Sequence, residues 1–280
     1  MSTTSPRKAE SDAWVRSVAS KHLGANIRQY SWRTYIAEKS VATSFGFQLD
    51  ISPMEGKIVD ENDTFVLMKV SAKEFFVALK SALSMVPEVG SKCKITPYAR
   101  KRFDGERLDK PEVVHENGFT STRMILGEYR SYLPIDKKTI VCPEFKDMIE
   151  VIEDEKADDV RTIAQVMIDA GALKEPVFFQ DVTDPEQIID KPPTVRFRVS
   201  TQKFDGYLSI LYDRAMDSFT IVLLDPQLNE IAKDEYQFIT LEGNSTLGQK
   251  IIELIDDGQW KIAPVEVLKK APRQRAEAAA

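Results

Sequence analysis

The sequence TVRFRVSTQKFDGYLSILYDRAMDSFTIVLLDPQLNEIAKDEYQFITL, residues 194–241, contains four runs rich in Val, Ile, Phe, Tyr and Leu. Polar segments that include FDG, RAMD and DPQLNE separate these runs. Short apolar runs between turn residues are typical of strands in an antiparallel meander. Thr246 and Gln249 then have the spacing of a helix capping box, and the apolar stripe after them ends at Gly258. The sequence therefore predicts an antiparallel sheet covered by a helix over residues 192–271.

A second region of β-structure precedes this one. In residues 41–70, the segments VATSFGFQLDI, GKIV and TFVLMKV have strand character, and the acidic turn DEND separates the last two. Ser71 and Glu74 have capping-box spacing, which favours a helix over residues 71–86, although KEFFVAL alone would also suit a strand. KCKITPYA and FTSTRMILG then predict two more strands. Three strands, a helix and two strands follow the order of an OB-type barrel or of an SH3-like barrel with an inserted helix, so residues 41–142 are predicted to form a small β-barrel domain.

Helical segments flank and join the two β-regions. Residues 1–40 are predicted to be a helical arm, and PVEVLKKA a short helix with Pro264 at its first position. Residues 144–190 hold 4 Lys or Arg against 14 Asp or Glu, a net charge of −10, and include two amphipathic helical patterns. Residues 143–191 are therefore predicted to be an acidic helical connector, and residues 272–280 a disordered tail. The predicted fold class is α+β.

The overall composition is typical of a soluble globular protein. The chain has 280 residues, a net charge of −6, 42% hydrophobic residues and 29% charged residues. Cys93 and Cys142 are far apart and have no metal-ligand spacing, so neither a disulfide framework nor a zinc site is predicted. No apolar run has the length of a membrane span or a signal-peptide core. We therefore expect a cytoplasmic protein without a membrane partner.

The sequence contains no signature of an enzyme. A P-loop, a Gly-rich dinucleotide motif and a nucleophile elbow are all absent, and neither of the two histidines has a second ligand residue at metal-binding spacing. We therefore predict a non-enzymatic protein with no cofactor. A metal-dependent nuclease is an alternative, because clustered carboxylates with a lysine could bind Mg²⁺. That site would need Asp213, Asp217, Asp225, Glu230 and Lys233, and four of these lie at predicted turns, where carboxylates cap the backbone.

One segment differs in charge from the rest of the chain. Residues 92–110, KCKITPYARKRFDGERLDK, hold 7 Lys or Arg against 3 acidic residues. Cations in such a loop can bind phosphates, and exposed rings among them can stack on bases. In the alternative interpretation, the cations only solubilise a hairpin and both rings fill the barrel. The predicted nucleic-acid-binding residues are Lys92, Lys94, Tyr98, Arg100, Lys101, Arg102, Phe103 and Arg107.

These patterns predict a nucleic-acid-binding or regulatory accessory protein, with single-stranded nucleic acid among the ligands to consider. A second hypothesis is a protein-interaction module or inhibitor whose acidic helices occupy a basic site on a protein partner. The two hypotheses assign opposite roles to the acidic connector, which either masks the basic loop or binds the partner. The choice between DNA and RNA, the sequence specificity and the oligomeric state are left open by the sequence.

Part of the chain resembles a known family. Residues 56–98 include GKIVDENDTFVLMKVSAKEFFVAL and VPEVGSKCKITPY. Their opening G-x-I-V, acidic hairpin, hydrophobic strand and later V-G before a lysine-flanked strand are similar to the small β-domains of KfrB-like accessory proteins of plasmids and phages. The long FFVALKSAL segment and both terminal regions depart from that pattern. The resemblance implies a maintenance or conjugation accessory protein of a mobile genetic element, with no catalytic residues to transfer.

Overall fold

The computed structural model describes residues 5–37, 50–116, 118–123, 128–237 and 246–272. These residues form a mixed α+β structure that divides into two compact units. Within the described residues, the first unit comprises 5–37, 50–99 and 258–272, and the second comprises 100–116, 118–123, 128–237 and 246–257. The first unit is therefore assembled from three separate stretches of the chain.

The described residues contain four α-helices and thirteen strands. The helices are α1 (Pro6–Val18), α2 (Pro143–Asp154), α3 (Ile163–Asp169) and α4 (Leu247–Ile255). The strands are β1 (Ser31–Tyr35), β2 (Met54–Glu61), β3 (Phe65–Lys69), β4 (Glu74–Leu79), β5 (Lys92–Ile95), β6 (Glu112–Glu116), β7 (Phe119–Arg123), β8 (Phe178–Gln180), β9 (Thr194–Ser200), β10 (Asp205–Asp213), β11 (Ser218–Leu224), β12 (Glu230–Gln237) and β13 (Val265–Lys269). None of the described helices combines the length and the apolar character that a membrane span needs.

The first unit is built on a six-stranded sheet in the order β1-β4-β3-β2-β5-β13. Only the β1–β4 pair is parallel, and the other neighbours are antiparallel. Helix α1 packs on this sheet, since the Trp14 ring stacks on Phe65 at 6.0 Å and the Trp32 indole donates to Asp12 at 2.8 Å. Among the described residues, no pairing joins the end strands β1 and β13. Closure into an OB-type or SH3-like barrel therefore stays a prediction.

The helix predicted over residues 71–86 is wrong, because Glu74–Leu79 forms strand β4. The Ser71–Glu74 pair closes the turn between β3 and β4 instead of starting a helix, and the backbone N–H of Ser71 donates to the carbonyl of Glu74. The same spacing therefore serves a tight turn. The strand also suits the local sequence, since Phe75 and Phe76 have high β-propensity and are both fully buried.

The short helix predicted at PVEVLKKA is also wrong. Residues Val265–Lys269 form strand β13, which pairs antiparallel with β5. Strand β5 would otherwise be an unpaired edge of the sheet, and a sheet edge leaves backbone donors and acceptors unsatisfied. Because β13 completes this sheet, the last strand belongs to the first unit rather than to a C-terminal domain over residues 192–271.

The second unit contains the predicted antiparallel sheet, in the order β12-β11-β10-β9-β8. Its predicted covering helix is confirmed as α4, which begins with the capping box of Thr246 and Gln249. Helices α2 and α3 share a hydrophobic core with the sheet and with α4, and Phe145 of α2 and Phe197 of β9 are both fully buried. A separate two-stranded hairpin, β6–β7, completes the unit.

The acidic segment at residues 143–191 is integrated into the second unit. Its two predicted helices are present as α2 and α3, and their apolar faces lie in the core. Several predictions fall on residues outside the described part of the chain. These are the strand at 41–49, the residues 124–127 of FTSTRMILG, the end of the last predicted strand at 238–241, and the tail at 273–280.

Candidate nucleic-acid interface

The predicted basic segment does not form one surface within a single unit. Its residues are divided between the two compact units at the boundary between Ala99 and Arg100. Lys92, Lys94 and Tyr98 belong to the first unit. The others, Arg100, Lys101, Arg102, Phe103 and Arg107, belong to the second unit.

The guanidinium groups of the predicted loop are neutralised locally. Arg102 donates to Asp104 at 3.1 Å and to the carbonyl of Lys110 at 2.7 Å. Arg107 makes a two-pronged contact with Asp109, with distances of 2.8 Å from Nε and 2.6 Å from Nη2. The hydrogen bond from Arg107 holds the pKa of Asp109 below its usual value. The role predicted for Arg102 and Arg107, to attract phosphates, is therefore not supported by this geometry.

The two remaining cations of the loop differ in exposure. Arg100 is only 3% exposed, so its guanidinium is not accessible to a polyanion. Lys101 is exposed and pairs with Arg107 in an isolated antiparallel bridge, while its carbonyl accepts from the Ser131 hydroxyl. One exposed lysine without neighbouring free cations offers little attraction for a phosphate backbone.

Both aromatic rings that were predicted to stack on bases contact other aromatic rings of the protein. Tyr98 makes an edge contact with Trp260, with 4.7 Å between ring centroids. Phe103 stacks on the core residue Phe197 at 6.4 Å. Both rings pack against hydrophobic cores, so the alternative of interior rings describes them better than base stacking does. The stacking prediction is corrected on this point.

The loop also borders a cavity of about 550 Å³ in the second unit. Four cationic residues line it, against three carboxylates, so its charges nearly cancel. The cations are Arg102, Lys110, Arg123 and Arg130, and the carboxylates are Asp104, Glu112 and Glu128. This cavity therefore lacks the excess of positive charge that a polyanion site needs.

The structure places a different group of cations together, in the first unit. Four lysines stand directly opposite one another across four adjacent strands. Lys57 of β2 pairs in register with Lys69 of β3 on one side and with Lys92 of β5 on the other. Lys92 in turn pairs with Lys269 of β13. We call these four residues, in the order Lys69, Lys57, Lys92 and Lys269, the lysine row.

The neighbouring cross-strand row shows the usual arrangement of charges. There Glu55 of β2 stands opposite Lys94 of β5, and Lys94 stands opposite Glu266 of β13. Opposite charges in facing positions stabilise a sheet, whereas like charges in facing positions destabilise it. The same strands thus alternate the sign of charge in one row and repeat positive charge in the next.

An irregularity in β13 contributes to the lysine row. Val267 pairs with Cys93, so an uninterrupted ladder would place Leu268 opposite Lys92. The register shifts between Val267 and Lys269, and Lys269 takes that position. Such shifts re-aim side chains and are typical of functional edges of sheets. The apolar residue is displaced and a fourth lysine is brought into line.

The lysine row lines a cleft of about 560 Å³, which we call the lysine cleft. Five lysines and one carboxylate line it, so its net charge is strongly positive. Gly56 and Gly90 leave part of its wall without side chains. The full lining consists of Glu55, Gly56, Lys57, Lys69, Val70, Gly90, Lys92, Lys269, Lys270 and Pro272.

Two of the lysines in the cleft have partners. The Lys69 ammonium donates to the carbonyl of His22, and Lys92 forms an ion pair with Glu55 at 2.5 Å. The hydrogen bond from Lys92 is the main cause that lowers the pKa of Glu55, and Lys94 adds a weaker electrostatic contribution.

The other three lysines of the cleft differ from Lys69 and Lys92 in their contacts with described residues. Within the described part of the chain, no carboxylate is paired with Lys57, Lys269 or Lys270. All three side chains are exposed.

Protection of the sheet edge does not account for the lysine row. Lysines on edge strands prevent association with other sheets, and this reason suffices for Lys269 on the end strand β13. Lys57 and Lys92 lie on β2 and β5, which are both paired on two sides. Edge protection therefore explains Lys269 but not Lys57 or Lys92.

Only Lys92 of the lysine row was among the residues predicted from sequence. The others were missed because their alignment depends on pairings between β3, β2, β5 and β13, of which the last joins residues far apart in the chain. One local signal was present, since Val265, Glu266 and Val267 alternate with the period of a strand.

Two carboxylates of the nuclease alternative accept hydrogen bonds from the backbone, and Asp217 accepts one from the Tyr212 hydroxyl. Asp213 accepts from the N–H groups of Ala215 and Met216, and Asp225 accepts from those of Gln227 and Asn229. Throughout the residues that the structure describes, no group of three or more His, Cys, Asp or Glu side chains is arranged to hold a metal. The nuclease alternative gains no support from these residues.

Comparison of the chain with protein-family models, with curated proteins and with solved structures gives no match. The interface is therefore argued from its own geometry, and the resemblance to KfrB-like domains stays a prediction.

Proposed function

We propose that the chain is a non-enzymatic nucleic-acid-binding accessory protein, and that the lysine row holds the phosphate backbone. The observation that carries this proposal is the direct cross-strand opposition of Lys69, Lys57, Lys92 and Lys269. Facing like charges lower the stability of a sheet, and a bound polyanion removes that repulsion. The repulsion that destabilises the free sheet is therefore relieved in the complex, and this relief favours binding.

The dimensions of the lysine row suit a stretch of phosphate backbone. Adjacent strands lie about 4.8 Å apart, so four strands place the outer lysines about 14 Å apart. A row of this length runs along several phosphates of a nucleic-acid strand, and the flexible lysine side chains adjust to their spacing without any large change in the sheet.

The chemistry of the lysine cleft favours recognition of the backbone over recognition of bases. Lysine is a point charge, whereas bidentate reading of guanine is characteristic of arginine. The cross-strand line does continue to Phe75 on β4 and Trp32 on β1. Phe75 is only 1% exposed, and the Trp32 ring already contacts the Arg16 guanidinium at 5.7 Å and the Tyr30 ring at 5.8 Å. We therefore expect binding with little sequence preference.

The test is a binding titration at several salt concentrations. A fluorescent single-stranded oligonucleotide and its duplex are titrated with the protein between about 50 and 200 mM salt. With four phosphate contacts, the affinity should fall about 50-fold for the single strand and about 150-fold for the duplex across this range. The absence of binding to either at the lowest salt would remove the proposal.

A matched pair of variants assigns the binding to the lysine row. Lys57→Gln removes a charge from the row, while Lys94→Gln removes one from the neighbouring row, where Glu55 and Glu266 flank it. The first variant should weaken binding and the second should leave it nearly unchanged. If both variants weaken binding equally, the interaction follows net charge and not this site.

A further inference from the structure

Among the described residues that line the lysine cleft, Glu55 is the one carboxylate, and its side chain reaches Lys92, an inner member of the lysine row. Its Oε1 is 2.5 Å from the ammonium of Lys92, and both side chains are about half exposed. Lys92 is flanked in the row by Lys57 and Lys269. The carboxylate of Glu55 therefore occupies a position that a phosphate would take in a ligand that binds these lysines.

We propose that Glu55 acts as an internal competitor for phosphate and restricts the lysine row to polymeric anions. This inference rests on the proposed function and deepens it, because it names the class of ligand that the row accepts. A single phosphate that approaches Lys92 must displace Glu55 with no other gain. A polymer that already contacts Lys57 and Lys269 presents its central phosphate to Lys92 at high effective concentration.

The contact between Glu55 and Lys92 is diagonal in the register of the sheet. Glu55 stands directly opposite Lys94, although its side chain reaches diagonally to Lys92. Lys94 lies in the row of alternating charges, beside Glu266. Glu55 thus pairs with a member of the lysine row, although its own facing partner Lys94 lies outside that row.

The experiment compares Glu55→Gln with Glu266→Gln in the full chain. Both substitutions neutralise a carboxylate on the same sheet, but Glu266 faces Lys94 and does not line the cleft. Two probes are titrated into each variant, a single-stranded oligothymidylate of 15 nucleotides and inorganic phosphate. The readouts are the fluorescence anisotropy of the oligonucleotide and the NMR shifts of the lysine side chains.

We expect Glu55→Gln to bind the oligonucleotide about threefold more tightly and to steepen its salt dependence by nearly one phosphate contact. Binding of inorganic phosphate should increase more, by about tenfold, because it lacks the help of neighbouring contacts. Glu266→Gln should match the wild-type protein with both probes. These results together would establish the role of Glu55.

Two results would overturn the inference, and they are distinct. If the wild-type protein binds the oligonucleotide and Glu55→Gln binds both probes no better than Glu266→Gln does, Glu55 is no competitor while the proposed function stands. If neither the wild-type protein nor Glu55→Gln binds the oligonucleotide at low salt, the proposed function itself fails.

Discussion

Lys57 and Lys92 face each other directly on the adjacent strands β2 and β5, although both carry positive charge. Neither strand is at an edge of the sheet, since β3 pairs with β2 and β13 pairs with β5. Like charges at facing positions cost about 0.2–1 kcal/mol per pair, and the lysine row contains three such pairs. Binding of an anion at the lysine row would remove this repulsion between facing lysines.

Loss of one lysine from the row should weaken nucleic-acid binding in a defined way. Lys57→Gln is expected to reduce affinity about fivefold at about 100 mM salt and to lower the slope of log affinity against log salt by about one contact. It should also stabilise the free protein slightly, because two facing repulsions disappear. Anisotropy titrations and urea unfolding measure the two effects, and a loss of affinity with an unchanged salt slope would speak against phosphate contact.

The arginines of the 100–107 loop should not affect binding. Arg102→Ala and Arg107→Ala each break contacts with acidic neighbours, so each is expected to destabilise the second unit by about 1 kcal/mol. The affinity for an oligonucleotide should stay within twofold of the wild-type value. A tenfold loss of affinity in either variant would show that the predicted loop, and not only the lysine row, contacts the nucleic acid.

Gly56 is required for the close pairing of β2 and β3. A Cβ atom at this position would lie 2.3 Å from the carbonyl oxygen of Lys69, which is backbone and cannot move aside. Gly56→Ala should therefore destabilise the first unit by about 3 kcal/mol and disturb the Lys57–Lys69 alignment. All three tryptophans of the chain lie in the first unit, so urea unfolding followed by tryptophan fluorescence reports this loss directly. Gly24→Ala is a useful control in the same unit, because a Cβ atom there would meet only the Ile27 side chain, at an ordinary contact distance of 3.7 Å.

Tyr35 should make the first unit sensitive to alkaline pH. Its hydroxyl is buried and donates to the carbonyl of Lys261, and burial raises the pKa of Tyr35 from 10.0 to about 12. The folded state therefore disfavours the phenolate. The contribution of the neutral Tyr35 hydroxyl to the free energy of unfolding is complete below pH 10. It falls by roughly 3 kcal/mol as the pH rises towards 12.

The matched variant for this prediction is Tyr35→Phe, which keeps the ring and removes the ionisable hydroxyl. It should be about 1 kcal/mol less stable at pH 8, because the bond to the Lys261 carbonyl is lost. Its stability should then change less than that of the wild-type protein between pH 10 and 12. Parallel curves for the two proteins would contradict the assignment.

Arg161 holds three acidic side chains together in the second unit. It is 1% exposed, and its guanidinium contacts Asp158, Asp169 and Asp256 at 2.8, 3.3 and 2.7 Å. Arg161→Ala would leave three carboxylates close together without a cation, at an expected cost of about 4 kcal/mol. Arg161→Lys keeps the charge but cannot contact all three, so an intermediate loss is expected. Hydrogen exchange in α2 and α3 measures the effect, and equal stability of the two variants would show that the charge has no role.

The local patterns of the sequence predict the second unit well. The meander from β9 to β12 and the capping box of α4 depend on residues close in the chain, and period-two alternation and cap spacing report such contacts. Helix α2 likewise begins at Pro143, as its sequence indicates.

The first unit was harder to predict because its sheet is completed by pairings between residues far apart in the chain. The spacing of Ser71 and Glu74 fits both a helix cap and a turn, and only the partner strands β3 and β1 decide for the turn. Strand β13 reaches its partner β5 from the other end of the chain. The lysine row was missed for the same reason, since its members come from four strands and only their register aligns them.

The most direct test of the central claim is the salt dependence of oligonucleotide binding by the double variant Lys57→Gln/Lys269→Gln, measured beside the wild-type protein and Lys94→Gln. We expect the double variant to lose about two phosphate contacts from the slope and to bind more than tenfold more weakly at about 100 mM salt, while Lys94→Gln matches the wild-type protein. If the double variant keeps the wild-type slope and affinity, the lysine row does not bind nucleic acid.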